Sequence, residues 1–277
     1  MGRVILCETT PSASSFIFPN TKIEVFSYEE LCYYLYNNIA LIEEDYLGVP
    51  MFNWIENELD LPELAGRLRE IKDKEYTGLT ELVTEILTFR EFYTLREVKE
   101  FILQMERMKG LSPARFRKLQ ADGFLRYHKY LKAVAIYDEI LEDYPEEEGD
   151  RLLGSLYHNK AVALANYFEW EAATESYLKA YELTGNPGSI YEYLLLMATR
   201  TVKEELVEIA RRYGVESMVD TIYDAIEDAE ADVAGSPVYH RMEKAIFHFR
   251  KNNLTDFSKR MDAVIEELKT EFREQIV

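Results

Sequence analysis

The stretch LYHNKAVALANYFEWEAATESYLKAYELTG, Leu156–Gly185, decides the fold. It has an earlier counterpart, FRKLQADGFLRYHKYLKAVAIYDEILEDYP, Phe116–Pro145. Aligning Ala133 with Ala173 puts Ala121 on Ala161, Phe124 on Leu164, Tyr137 on Tyr177 and Ile140 on Ala180, an offset of 40 residues. Small residues at Ala121, Ala133, Ala161 and Ala173 let two antiparallel helices approach closely. Tyr137 and Tyr177 are sized to fill the space between neighbouring hairpins. One such hairpin leaves an apolar face open, so about three must stack for stability. Ser189–Tyr213 supplies a third, degenerate hairpin, with Val207 and Arg211 where the pattern would place its packing residues.

Working outward, helix signals dominate from Ser27 onward. Ser27-x-x-Glu30 and Thr94-x-x-Glu97 read as capping boxes, with Phe26/Leu31 and Tyr93/Val98 placed as hydrophobic staples. Ser112-Pro113 and Ser236-Pro237 put serine at an N-cap and proline at the first helical position. Gly110, Gly185, Gly214 and Gly235 stand where helices stop. These signals and the apolar spacing predict about 14 helices. Ahead of them, Val4–Leu6 and Ile23–Phe26 read as a two-strand ribbon around the Ser/Thr/Pro-rich stretch Thr9–Ser15. Near the C-terminus three apolar stripes follow one another: Met218, Ile222, Ile226, Ala229 and Val233; Val238, Met242, Ile246 and Phe249; and Phe257, Met261, Val264, Leu268 and Phe272. Such helices most simply pack on one another. The expected organisation is an N-terminal region, 1–110, the hairpins, 111–214, and a long-helix region packed on them, 215–277.

The repeated segments resemble the tetratricopeptide repeat, whose 34-residue pattern sets aromatic, small and apolar residues at fixed offsets. The second segment carries it at Tyr157, Ala161, Leu164, Ala173, Tyr177 and Ala180, and departs at Lys160 and Gly185. The first has Arg117 and Gln120 where the pattern wants an aromatic and a leucine. Phe26–Asn38 is also similar to the heads of bacterial repeat proteins, a likeness that implies no activity. The fold class expected is all-α: a right-handed superhelical stack of antiparallel helical hairpins with a small N-terminal β element. In that family the leading helices of successive hairpins line a concave groove for a partner segment. By that resemblance the groove shows Arg115, Lys118, Asp122 and Arg126, then His158, Asn159, Val162 and Asn166. Some members clamp a C-terminal carboxylate there. Lys118 and Asn159 match that clamp, but Asp122 replaces an asparagine, and Ser189 and Tyr193 occupy its two basic sites. No binding of acidic chaperone tails is expected.

The 277 residues carry 32 basic and 51 acidic side chains, a net charge of −19. Phosphate backbones and anionic membranes are therefore poor partners. Glycine (12) and proline (8) are scarce, which disfavours sandwiches and barrels of many short strands. Two cysteines give no disulfide framework and fit a reducing compartment. No apolar run suits a secretory signal or a bilayer span, so a cytoplasmic protein is expected.

Catalytic patterns are missing. There is no G-x-G-x-x-G, P-loop or G-x-S-x-G, and Cys7 and Cys32 form no C-x-x-C. The four histidines, His128, His158, His240 and His248, fall in no H-E-x-x-H or E-x-x-H motif. Lys244 lies between His240 and His248 on one helix face, where a metal would not tolerate it. Asp143–Asp150 lacks the ligand alternation and central glycine of an EF-hand. Cys32 reads as a small core residue, and Glu227, Asp228, Glu230 and Asp232 as a solvated helix face. No catalytic, metal or cofactor residues are therefore expected.

The expected function is a non-catalytic interaction module, an adaptor or scaffold, holding a segment of another protein. Its rivals are an intracellular signalling-peptide receptor and, more remotely, a helical enzyme with an unfamiliar site. A monomer is expected, with a dimer through the C-terminal helices as the alternative.

Overall fold

The computed structural model describes residues 11–74, 78–143 and 149–276. Among the described residues the fold is all-α, with 14 α-helices and one two-stranded antiparallel sheet. Contacts divide the chain into two compact units, Met1–Tyr127 and His128–Val277.

In the first unit, β1 (Phe16–Ile17) pairs with β2 (Glu24–Val25), Phe16 opposite Val25 and Ile17 opposite Glu24. The second strand falls inside the expected Ile23–Phe26. Its partner is Phe16–Ile17, while Val4–Leu6 lies outside the described residues. Locality explains the pairing. Phe18 N–H donates to Ile23 O (2.9 Å), Lys22 N–H donates to Phe18 O (2.8 Å), and Lys22 takes a left-handed φ of 59°.

Six helices follow: α1 (Tyr28–Asn37), α2 (Val49–Asn57), α3 (Pro62–Lys72), α4 (Leu79–Thr88), α5 (Leu95–Lys109) and α6 (Pro113–Arg126). Two 3-10 turns, Ile39–Leu41 and Glu44–Tyr46, join α1 to α2. Their core packs Phe18, Leu31, Leu35, Phe52, Ile55, Leu64, Leu68, Ile86 and Phe101 together. Phe18 stacks on Tyr34 with ring centroids 3.7 Å apart. Cys32 sits inside, and burial pushes its thiol up to about 12.

The caps form as read, with one shift. Thr94 Oγ1 accepts from Glu97 N–H (3.3 Å) and the Glu97 carboxylate accepts from Thr94 N–H (2.7 Å), closing the box at α5. At α1, Ser27 Oγ accepts from Glu30 N–H (3.2 Å), but the Glu30 carboxylate reaches one residue further back, to Phe26 N–H (2.6 Å). Phe26 stays exposed, outside the cluster that takes in Leu31.

The second unit holds α7 (Tyr130–Asp143), α8 (Gly149–Asn166), α9 (Trp170–Thr184), α10 (Pro187–Ala198), α11 (Lys203–Arg212), α12 (Met218–Ala234), α13 (Pro237–Arg250) and α14 (Leu254–Ile276). The repeat is written in the backbone too. His128 precedes α7 with φ 59°, and Phe168 joins α8 to α9 with φ 67°, again 40 residues apart. Ala121, Ala133, Ala161 and Ala173 are fully buried. Tyr177 of α9 packs with Ile190, Tyr193 and Leu194 of α10, between one hairpin and the next. The third hairpin forms as α10 and α11, burying Leu206, Ile209 and Ala210. Gly185 and Gly214 take the left-handed φ that suits glycine, 64° and 69°. Gly110 and Gly235 end their helices with ordinary negative φ.

The C-terminal stripes are buried only in part. Val219 and Ile222 of α12 join the core beside α10 and α11, and α13 packs on α14, with Ala245 and Val264 buried. Val233, Ile246, Phe249 and Leu268, all stripe positions, remain exposed. No helix among the described residues is long and apolar enough to cross a membrane.

Candidate functional site

The two expected rows lie on α6, which closes the first unit, and α8, in the second.

Ser112 and Pro113 start α6, with Ser112 Oγ accepting from Arg115 N–H at 3.4 Å. One turn on, Lys118 Nζ donates to Asp122 Oδ2 at 2.6 Å, and both side chains are largely buried. This pair neutralises one cation of the row and gives the aspartate at that position a partner. Arg126 Nη1 donates to Asn37 O at 3.4 Å, so the guanidinium leans towards the end of α1.

On α8, His158 Nδ1 lies 3.0 Å from Ser189 Oγ on α10, and its ring meets Tyr177 edge-on at 5.4 Å. Ser189 is fully buried. A hydroxyl without access to solvent fixes the imidazole in place rather than attacking a substrate. Asn166 Nδ2 donates to Val162 O (2.9 Å), and its Oδ1 accepts from Tyr130 O–H (3.4 Å), tying the end of α8 to α7. Lys160, where the family pattern has leucine, reaches Asp138 of α7 with Nζ and Oδ1 2.5 Å apart. An ion pair thus replaces an apolar contact. Asn159 and Val162 remain half-buried on the α8 surface.

Residues outside the expected row complete this region. Ser189 and Tyr177 hold His158, and Glu192 of α10 is half-buried. Burial raises the Glu192 carboxyl above its ordinary range, and Glu192 in turn reinforces the effect of burial on the nearby Tyr177 phenol. One signal could have found it: Glu192 is the only charged residue between Pro187 and Thr199. Among the described residues, no three His, Cys, Asp or Glu side chains converge as a metal site would require. Comparison of the chain with protein-family models, with curated proteins and with solved structures finds no match in any of the three.

Proposed function

We propose that this chain is a non-catalytic interaction module of the cytoplasm, binding a segment of another protein across the adjacent helices α8 and α10. The observation that carries the reading is the His158–Ser189 hydrogen bond, which sets two leading helices side by side. Asn159 and Val162 of α8 and Glu192 of α10 stand half-buried on these helices. Glu192 offers a carboxylate for main-chain recognition and Val162 an apolar spot for one side chain. Truncating contacts of this kind typically costs about 1–3 kcal/mol of binding each.

The test compares two baits in native lysate, wild type and Asn159→Ala/Val162→Glu, after circular dichroism shows equal helicity. The variant is expected to lose the proteins that wild type retains. Equal recovery by both baits would overturn the reading.

A second reading, self-association, is favoured by the apolar side chains left exposed on α13 and α14, among them Phe247, Phe249, Leu254 and Leu268. Exposed apolar side chains gathered on two packed helices commonly mark an interface. The acidic side chains of α12, Asp224, Glu227, Asp228, Glu230 and Asp232, would complement Lys244, Arg250 and Lys251 on or just after α13 in a second copy. Sedimentation equilibrium should show a concentration-dependent mass that Phe249→Glu/Leu268→Glu abolishes. A mass that stays monomeric at all concentrations removes this reading.

A further inference from the structure

The first unit contains a cleft of about 490 Å³ between the 39–41 turn, the end of α5 and one face of α6. Its volume lies within the range of ordinary ligand sites. Gly123 shapes it. A Cβ there would stand 2.9 Å from the Leu41 side chain, so the glycine lets α6 lie close to the turn. The lining is apolar at Leu41, Met108 and Leu119, and the Leu119 side chain is exposed. Arg107 and Arg126 also line the cleft. Among the described residues neither is paired with a carboxylate, although the chain carries 51 acidic residues. Arg126 makes one long hydrogen bond, to Asn37 O, which leaves most of its five N–H donors unused.

We infer that this cleft binds the C-terminus of a peptide whose last residue is apolar. Two guanidinium groups suit a carboxylate, which can take bidentate charge-assisted bonds. An apolar wall suits the adjoining side chain. The choice of a peptide over a simple fatty acid comes from the remaining polar lining. Gln104 and Asn37 bring carboxamides to the cleft. Asn37 Nδ2 donates to Tyr33 O (2.8 Å), which leaves its Oδ1 to accept. Main-chain N–H and C=O groups satisfy such carboxamides, and an acyl chain cannot. The cleft lies wholly within residues 36–126, so the inference is independent of the α8–α10 reading.

The test uses the full-length protein and the dansylated peptide Gly-Ser-Gly-Ser-Leu-Leu, with fluorescence anisotropy as readout. The free-acid peptide is expected to bind, and its C-terminal amide to bind at least about tenfold more weakly, a comparison that needs no variant. Arg107→Gln/Arg126→Gln should weaken the free-acid peptide by about the same factor. Leu119→Trp, which fills the cleft from an exposed position, should do likewise. Asn159→Ala/Val162→Glu should leave binding unchanged, so this inference and the proposed function can fail separately. The inference is overturned if neither peptide binds, if acid and amide bind alike, or if decanoate displaces the free-acid peptide as well as the unlabelled peptide does.

Discussion

Tyr28→Ala is expected to remove about 3–5 kcal/mol from the stability of the first unit, which is much of what a domain of this size possesses. Tyr28 is among the largest fully buried side chains. Its ring fills the space between α1 and α4, and its hydroxyl has a specific task. Ile86 O and Arg90 N–H stand four residues apart, the spacing of a helical hydrogen bond, but α4 ends at Thr88. The Tyr28 hydroxyl inserts into that gap, donating to Ile86 O at 2.5 Å and accepting from Arg90 N–H at 3.1 Å. The tyrosine is thus both a core residue and the cap of another helix. Tyr28→Phe keeps the ring but removes the acceptor of Arg90 N–H and leaves Ile86 O only the long Cys32 S–H contact of 3.8 Å, so a smaller loss of about 1–3 kcal/mol is expected. Urea denaturation followed by near-ultraviolet circular dichroism separates the two. If Tyr28→Phe is as stable as wild type, the capping role is wrong; if Tyr28→Ala is, so is the packing.

Gly154→Ala should destabilise the second unit by about 1–3 kcal/mol, the usual range for overpacking. A Cβ at Gly154 would fall 2.3 Å from Thr184 Cγ2 and 3.3 Å from Ala180 O. The first contact cannot exist without movement. The second involves main chain, which the Thr184 hydroxyl also grips at 2.7 Å. Shortening residue 184 removes the closer clash, so Gly154→Ala/Thr184→Ala should recover stability beyond the sum of the single changes. Thermal unfolding of the four proteins forms a double-mutant cycle. Additive effects would show that α8 and α9 do not meet through this pair.

Local chemistry was legible in the sequence, and contacts between distant residues were not. Thr94, Ser112 and Ser236 cap helices as their spacing required, because a cap is settled within four residues. The 40-residue repeat held for Tyr137 and Tyr177, both buried. The Tyr28–Ile86 bond spans 58 residues and has no local signature. The local partner of β2, Phe16–Ile17, had no signal for a related reason, and Val4–Leu6 lies outside the described residues. Strand propensity says nothing of the short turn at Lys22 that brings Phe16–Ile17 to β2. The C-terminal stripes show a different limit, since a stripe marks a face that can be buried and not one that is. Within the candidate site, periodicity placed Lys118, Asp122, His158 and Val162 on their helices. It could not say that Lys118 and Asp122 would pair, or that His158 would turn to Ser189.

The left-handed turn at Phe168 bears on how the last helix opens. Its ring lies 5.5 Å from Trp170 and 5.3 Å from Phe272, close to the far end of the 23-residue α14. Helices ordinarily fray inwards from their ends. Here one end begins at the Asn253 cap, the middle is anchored by buried Val264, and the last turns are pinned by the aromatic group. The weakest stretch is then internal, the exposed turns around Leu268 between two anchors. In hydrogen-exchange terms, the amides between Val264 and Phe272 should be less protected than those at the two anchors, giving a helix that can open from within.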